Sequence, residues 1–171
     1  MLCAIKPSSD EGEIEMKKRL SVLVLILILF AANNVFAVDV ISLDKVAIFM
    51  SKAKVLSLLG TAQEVVTLGK GLNVEVYSVE AALPLTHSGC IYGQDGILMG
   101  QSFVFQGHTA ANIADRLKKH GFTPLPQKEG TLRFAGVDDD TGRPLVAAIS
   151  ENDNLTTITT FEKAFYEAHV Q

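Results

Sequence analysis

The chain has 171 residues and a formal net charge of −4, from 15 Lys plus Arg against 19 Asp plus Glu. The charges are scattered and form no basic patch, which argues against nucleic acid and anionic membrane surfaces as partners. Its two cysteines are Cys3 and Cys90, too few for a disulfide framework.

The first structured signal is "MKKRLSVLVLILILFAANNVFA", Met16 to Ala37. Lys17, Lys18 and Arg19 make a positive start, Leu20 to Phe30 an apolar run, and Val35-Phe36-Ala37 a small-x-Ala cleavage pattern. Asn33 and Asn34 end the run before the roughly 20 apolar residues that a membrane span needs. The expectation is a signal peptide over 16–37, cut between Ala37 and Val38, that sends the chain to the periplasm or medium. Residues 1–15 carry Asp10, Glu11, Glu13 and Glu15 where such a peptide should be basic, and read as an extension from a mis-assigned start. No cysteine stands at the cut, so lipid attachment is not expected. The mature form, Val38–Gln171, is expected not to span the membrane and keeps Cys90 as its single thiol.

Beyond the leader, Leu43 to Met50 reads as weakly helical, with Val46, Phe49 and Met50 on one side. Ser51 is an N-cap, Val55, Leu58 and Leu59 form an apolar helix face, and Gly60 ends it. "QEVVTL" and "LNVEVYSV" read as a hairpin around Gly69-Lys70-Gly71. "AALPLTH" reads as a loop or edge because of Pro84. "SGCIYG" and "ILMGQSFVF" pair around Gln94-Asp95-Gly96, with Ile97, Met99, Phe103 and Phe105 on one face and Gln101 interrupting it. Thr109 is the next N-cap. Ala110, Ile113, Ala114 and Leu117 form the stripe of a helix stopped by Gly121, with Phe122 closing onto Leu117. A proline-containing connector leads to strands "TLRFAGV", "PLVAAIS" and "LTTITTF", turned by "DDDTGR" and "ENDN". Glu162 to Val170 closes the chain as a short helix presenting Phe165 and Ala168.

The order is helix, meander, helix, meander, helix. It predicts an α+β fold with a mostly antiparallel sheet. One face of the sheet packs on helices and the other faces solvent. Residues 38–171 are expected to form one domain of two tandem helix-plus-meander units, about 43–106 and 107–171, sharing one core, with a short C-terminal helix.

"FMSKAKVLSLLGTAQEV" resembles the opening of small envelope domains of the SmpA/OmlA type, through Met50, Ser51, Val55, Leu59 and Gly60. The tandem layout is similar to the β-lactamase-inhibitor-protein fold, which doubles such a unit. Ala62 stands where the family usually has a proline soon after the glycine, and the lipid-attachment cysteine common in its members is missing. The resemblance implies the fold and a habit of binding other proteins. It implies no target and marks no site residue.

Few residues suggest chemistry. Cys90 and His87 are the nearest approach to a thiol nucleophile with a base, but three residues apart on one strand they point to opposite faces unless Gly89 bends it. His87, His108, His120 and His169 lack metal-ligand spacing, and His120 suits a helix C-terminus. "DDDTGR" has a faint calcium-loop order at Asp138, Asp140 and Gly142, but position twelve is Ile149 rather than a carboxylate. Asn154-Leu155-Thr156 has the form of a glycosylation sequon within a turn. No catalytic set, cofactor site or metal site is expected.

The leading expectation is an exported, non-catalytic module that binds another envelope or secreted protein through aromatic anchors on the sheet face away from the helices. The alternative is a carrier of a small molecule or lipid, with Phe103, Phe105 and Phe134 lining a pocket between helices and sheet. A thiol enzyme using Cys90 is the third.

Overall fold

The structure is a computed structural model that describes residues 37–68, 71–80 and 84–170. The predicted extension, and the signal segment up to Phe36, lie outside the described residues. Ala37 is exposed, whereas Val38 is already buried in the core.

The described chain runs β1 (Val38–Asp39), α1 (Val40–Asp44), α2 (Lys52–Leu59), β2 (Glu64–Leu68), β3 (Leu72–Glu80), β4 (Leu85–Tyr92) and β5 (Leu98–Gln106). It continues with α3 (Ala110–Lys119), β6 (Thr123–Lys128), β7 (Thr131–Val137), β8 (Pro144–Asn152), β9 (Leu155–Glu162) and α4 (Lys163–His169). This is an α+β fold on one nine-stranded sheet, ordered β1-β3-β4-β5-β9-β8-β7-β6, with β2 also paired to β3. All pairings are antiparallel except β1 with β3.

Register decides which side chains share a face, because opposed residues project together and neighbours alternate. Tyr77, Ser88, Phe103, Ile158 and Ile149 form one row across the sheet. α1 and α2 cover one end of this face, where Leu43, Val55 and Leu59 pack with Tyr77, Cys90 and Leu98. α3 covers the other end, with Ala110 and Ala114 on Phe134, Ala147 and Ile149. The opposite face carries the row Val74, Ile91, Gly100, Phe161 and Val146. Here Tyr166 of α4 joins Val66, Val74, Val76, Ile91, Val146 and Phe161 in a third cluster. The expectation of one helix-free face is therefore corrected, since α4 folds back over the second face.

Local chemistry explains where sequence and structure part. Ser51 caps α2 as read, accepting from the Lys54 amide at 3.3 Å, and Gly60 ends it at φ 74°. The helix expected over 43–50 instead spans Val40–Asp44, because Asp39 caps it by accepting from Ser42 N at 2.9 Å. Phe49 then adopts φ 78°, and Phe49 N and Leu98 N donate to Leu98 O and Met50 O, extending the sheet. The proline-containing connector is strand β6. Pro124 and Pro126 are tolerated there because β6 is the outermost strand and needs no outward hydrogen bonds. β4 begins at Leu85, directly after Pro84, so part of the expected loop is strand. In β5 a register shift at Ile91/Tyr92 breaks the alternation expected for Ile97 and Met99, and Leu98 becomes the fully buried residue. In α3 the buried positions are Ala110 and Ala114, while Ile113 and Leu117 are partly buried. In α4 it is Tyr166 that is buried, while Phe165 is partly buried and Ala168 exposed.

Candidate functional site

Cys90 and His87 both lie on β4. The strand runs straight through Gly89, which is paired with Val76 and with Ser102. Cys90 opposes Glu75 and faces α2, whereas His87 opposes Ser78 and faces the other way. The thiol has no accessible surface, and burial pushes its pKa up to about 12. The thiol is held protonated by burial, and His87 lies on the opposite face of the strand, so the two do not form a thiol–imidazole pair. Burial also lowers the pKa of His87, whose Nδ1 lies 3.1 Å from Thr86 Oγ1.

The surroundings of Cys90 are structural in character. Tyr77 donates its hydroxyl proton to Glu75 Oε2 at 3.2 Å, and Glu75 forms an ion pair with Lys52 from the first turn of α2. The Lys52 ammonium sits 5.2 Å from the centre of the Tyr92 ring. Burial raises the pKa of both tyrosines. The group anchors the start of α2 to β3 and β4 and holds its hydroxyls and thiol neutral.

Among the described residues no three His, Cys, Asp or Glu side chains gather to hold a metal ion. Asp138 turns the β7–β8 connection by accepting from Thr141 N at 2.8 Å and Thr141 Oγ1 at 2.7 Å, so its carboxylate is committed to the turn. Asn154 is exposed in the β8–β9 turn at φ 67°, and Thr156 is buried.

The more informative feature lies in mid-sheet. β5 and β9 are the central strands, and the helix layers cover the strands on either side of them. Between those layers Gln101, Phe103 and Phe105 of β5 stand beside Thr160, Ile158 and Thr156 of β9. Phe103 and Phe105 are only partly buried and belong to neither helix-covered cluster, so among the described residues they line the gap, or groove, between the two helix layers. Phe134, expected to share a pocket with them, is instead core beneath α3. Phe103 and Phe105, expected in the carrier alternative to line a pocket between helices and sheet, lie on the face that carries α1, α2 and α3. Beyond α4 that opposite face carries Ser102, Val104, Thr157 and Thr159, all of them buried.

Each end of the groove is framed by a carboxylate from β8 or β9. At one end the Arg143 guanidinium lies over the Phe49 ring at 4.0 Å and its Nη2 is 3.6 Å from Glu162 Oε1. Glu162 also caps α4 by accepting from the Phe165 amide at 2.6 Å. At the other end Glu151 accepts from the Ala110 amide at 2.9 Å and from Thr156 Oγ1 at 3.1 Å. Thr109, expected to cap α3, makes no capping bond, so the cap comes from β8.

No family model, curated protein or solved structure matches this chain.

The groove residues therefore stand on geometry alone. Phe103 and Phe105 were visible in the sequence, but their position between two helix layers follows only from the β5–β9 pairing. Phe49, Arg143 and Glu151 carried no local signal, because their partners are distant in sequence, whereas Glu162 has a local one in the Phe165 amide it caps.

Glu151 gives a pH-dependent expectation. The hydrogen bond from the Ala110 amide is the largest effect and holds its carboxyl below the usual range; burial opposes it, and Thr156 and His108 add to the lowering. A depressed carboxyl pKa contributes stability above the unfolded value of about 4.3, and that contribution is lost as pH falls through the folded value. Glu151→Ala is expected to destabilise the protein at neutral pH by about 0.5–2 kcal/mol, the worth of a helix cap. The gap between variant and wild type should close in urea melts as pH falls below the usual carboxyl range. A gap that stays constant down to pH 2 would count against the capping carboxylate.

Proposed function

We propose that this chain is an exported, non-catalytic protein-binding or assembly module of the bacterial envelope, made of two tandem helix-plus-meander units on one core. The observation that carries the binding reading is the half-buried aromatic floor of Phe103 and Phe105, lying between two helix layers at the centre of the sheet. Aromatic side chains, phenylalanine among them, are enriched at protein interfaces and often anchor them. The tandem reading is supported by strand order: β2-β3-β4-β5 follows α2, β6-β7-β8-β9 follows α3, and the two runs meet antiparallel at β5 and β9. Among the described residues no helix is long and apolar enough to cross a membrane, which fits a mature form held outside the bilayer. The burial of Cys90 supports a non-catalytic role.

The experiment is affinity capture from envelope extract, with wild type and Phe105→Ser as baits of matched thermal stability. A discrete protein retained by wild type and depleted at least about tenfold by the variant is expected, the loss of one anchor. If no protein depends on Phe105 and a fluorescent fatty-acid probe binds the wild type instead, the chain is a carrier and the binding reading fails.

A further inference from the structure

The two outer margins of the sheet are finished differently. β6 carries Pro124, Pro126 and Lys128, which withhold hydrogen-bond donors and add charge, the usual protection of an edge. β2 at the other margin is Glu-Val-Val-Thr-Leu, has neither proline nor lysine, and among the described residues pairs with β3 alone. Exposed apolar side chains collect at the same margin. Among the described residues five large hydrophobics are exposed, and four of them, Val40, Ile41, Leu56 and Val65, belong to α1, α2 and β2. Leu56 stands one turn along the same side of α2 as Lys52, and Lys52 reaches Glu75, the residue paired with Val65.

We propose that the outer edge of β2 is a homodimer interface, in which β2 pairs antiparallel with β2 of a second copy about Val66. Antiparallel self-pairing is two-fold symmetric and uses one patch twice. Centring on Val66 sets Val65 opposite Thr67 and Glu64 opposite position 68 of the other copy, so no like charges meet across the seam. A pairing of β2 with β6 of a second copy would propagate into a filament, and Pro124 and Pro126 deny it the amides it needs. The symmetric contact closes on itself and leaves both protected β6 margins outermost. Backbone pairing over one short strand is a small contact, and Val65 and Leu56 supply the apolar flank it requires.

Sedimentation velocity on the purified full chain from about 1 to about 300 μM tests this, a span that brackets micromolar dissociation constants. A reversible dimer is expected. Val65→Lys combined with Thr67→Lys should raise its dissociation constant at least about tenfold by placing like charges across the seam. Val137→Lys, an equally exposed position on β7, should leave it unchanged. Amides of β2 in the wild type should exchange more slowly as concentration rises, a measurement that holds even if the double variant misfolds. The proposal fails if the wild type stays monomeric with concentration-independent exchange in β2. It also fails if the dimer ignores the two lysines, or if β2 is protected only by an unrelated polypeptide.

Discussion

Replacing Phe161 with alanine is expected to remove about 3–5 kcal/mol of stability, the usual cost of deleting a buried phenylalanine ring. The ring is 5% exposed and packs on Phe165 at 6.5 Å and Tyr166 at 5.6 Å between centroids. Its cluster takes Val66, Val74, Val76 and Ile91 from before α3, and Val146 and Tyr166 from after it. The loss should therefore be felt by both halves together. Urea unfolding followed by far-UV circular dichroism and by tyrosine fluorescence should give coincident curves, shifted equally by the mutation. Tyr77 and Tyr92 report from the first half and Tyr166 from the second. Curves that separate, with Phe161→Ala moving only the later half, would show two independently folding units.

Gly100→Ala attacks the same contact from below and should cost about 1–3 kcal/mol, the range for overpacking a filled core. A Cβ at Gly100 would stand 2.6 and 2.8 Å from two atoms of the Phe161 ring and 3.3 Å from Ile91. The ring is hemmed in by Phe165 and Tyr166 and cannot swing clear. Gly136 offers a control: a Cβ there would lie even closer to the Phe122 ring, at 2.4 Å, yet Phe122 is only partly buried and can turn outward. Gly136→Ala should therefore cost less than Gly100→Ala in the same melts. Phe161→Leu in the Gly100→Ala background should restore part of the loss, because the smaller side chain vacates the space. Equal costs at the two glycines would refute the packing argument.

What could be read from the sequence was whatever is encoded within a few residues. Ser51 and Gly60 bound α2 by local hydrogen bonding and a positive φ, and both were legible. The strands β7, β8 and β9 were legible because β-branched residues and turn residues alternate. β6 was missed because proline is a penalty in most strands, and only its outermost place removes that penalty. The cap of α3 was misassigned to Thr109 because Glu151, the residue that supplies it, is 41 positions away in sequence. The groove was half visible. Phe103 and Phe105 drew notice as alternating aromatics, but whether they filled a core or floored a cleft depended on which strand lay beside β5. That neighbour, β9, is among the last elements of the chain. Cys90 and His87 were separated correctly by strand alternation alone, a short-range rule.

The meeting of β5 with β9 also sets a timetable for synthesis. Until Leu155–Glu162 emerges, the earlier chain can offer only two unfinished ribbons, β3-β4-β5 and β6-β7-β8, each with a bare inner margin. The margin of β5 carries Phe103, Val104 and Phe105, an apolar template of the kind that recruits neighbouring chains. The chain thus has to be kept apart from its copies until its last strand arrives. A nascent protein truncated before β9 is an aggregation hazard, however well its first half is formed.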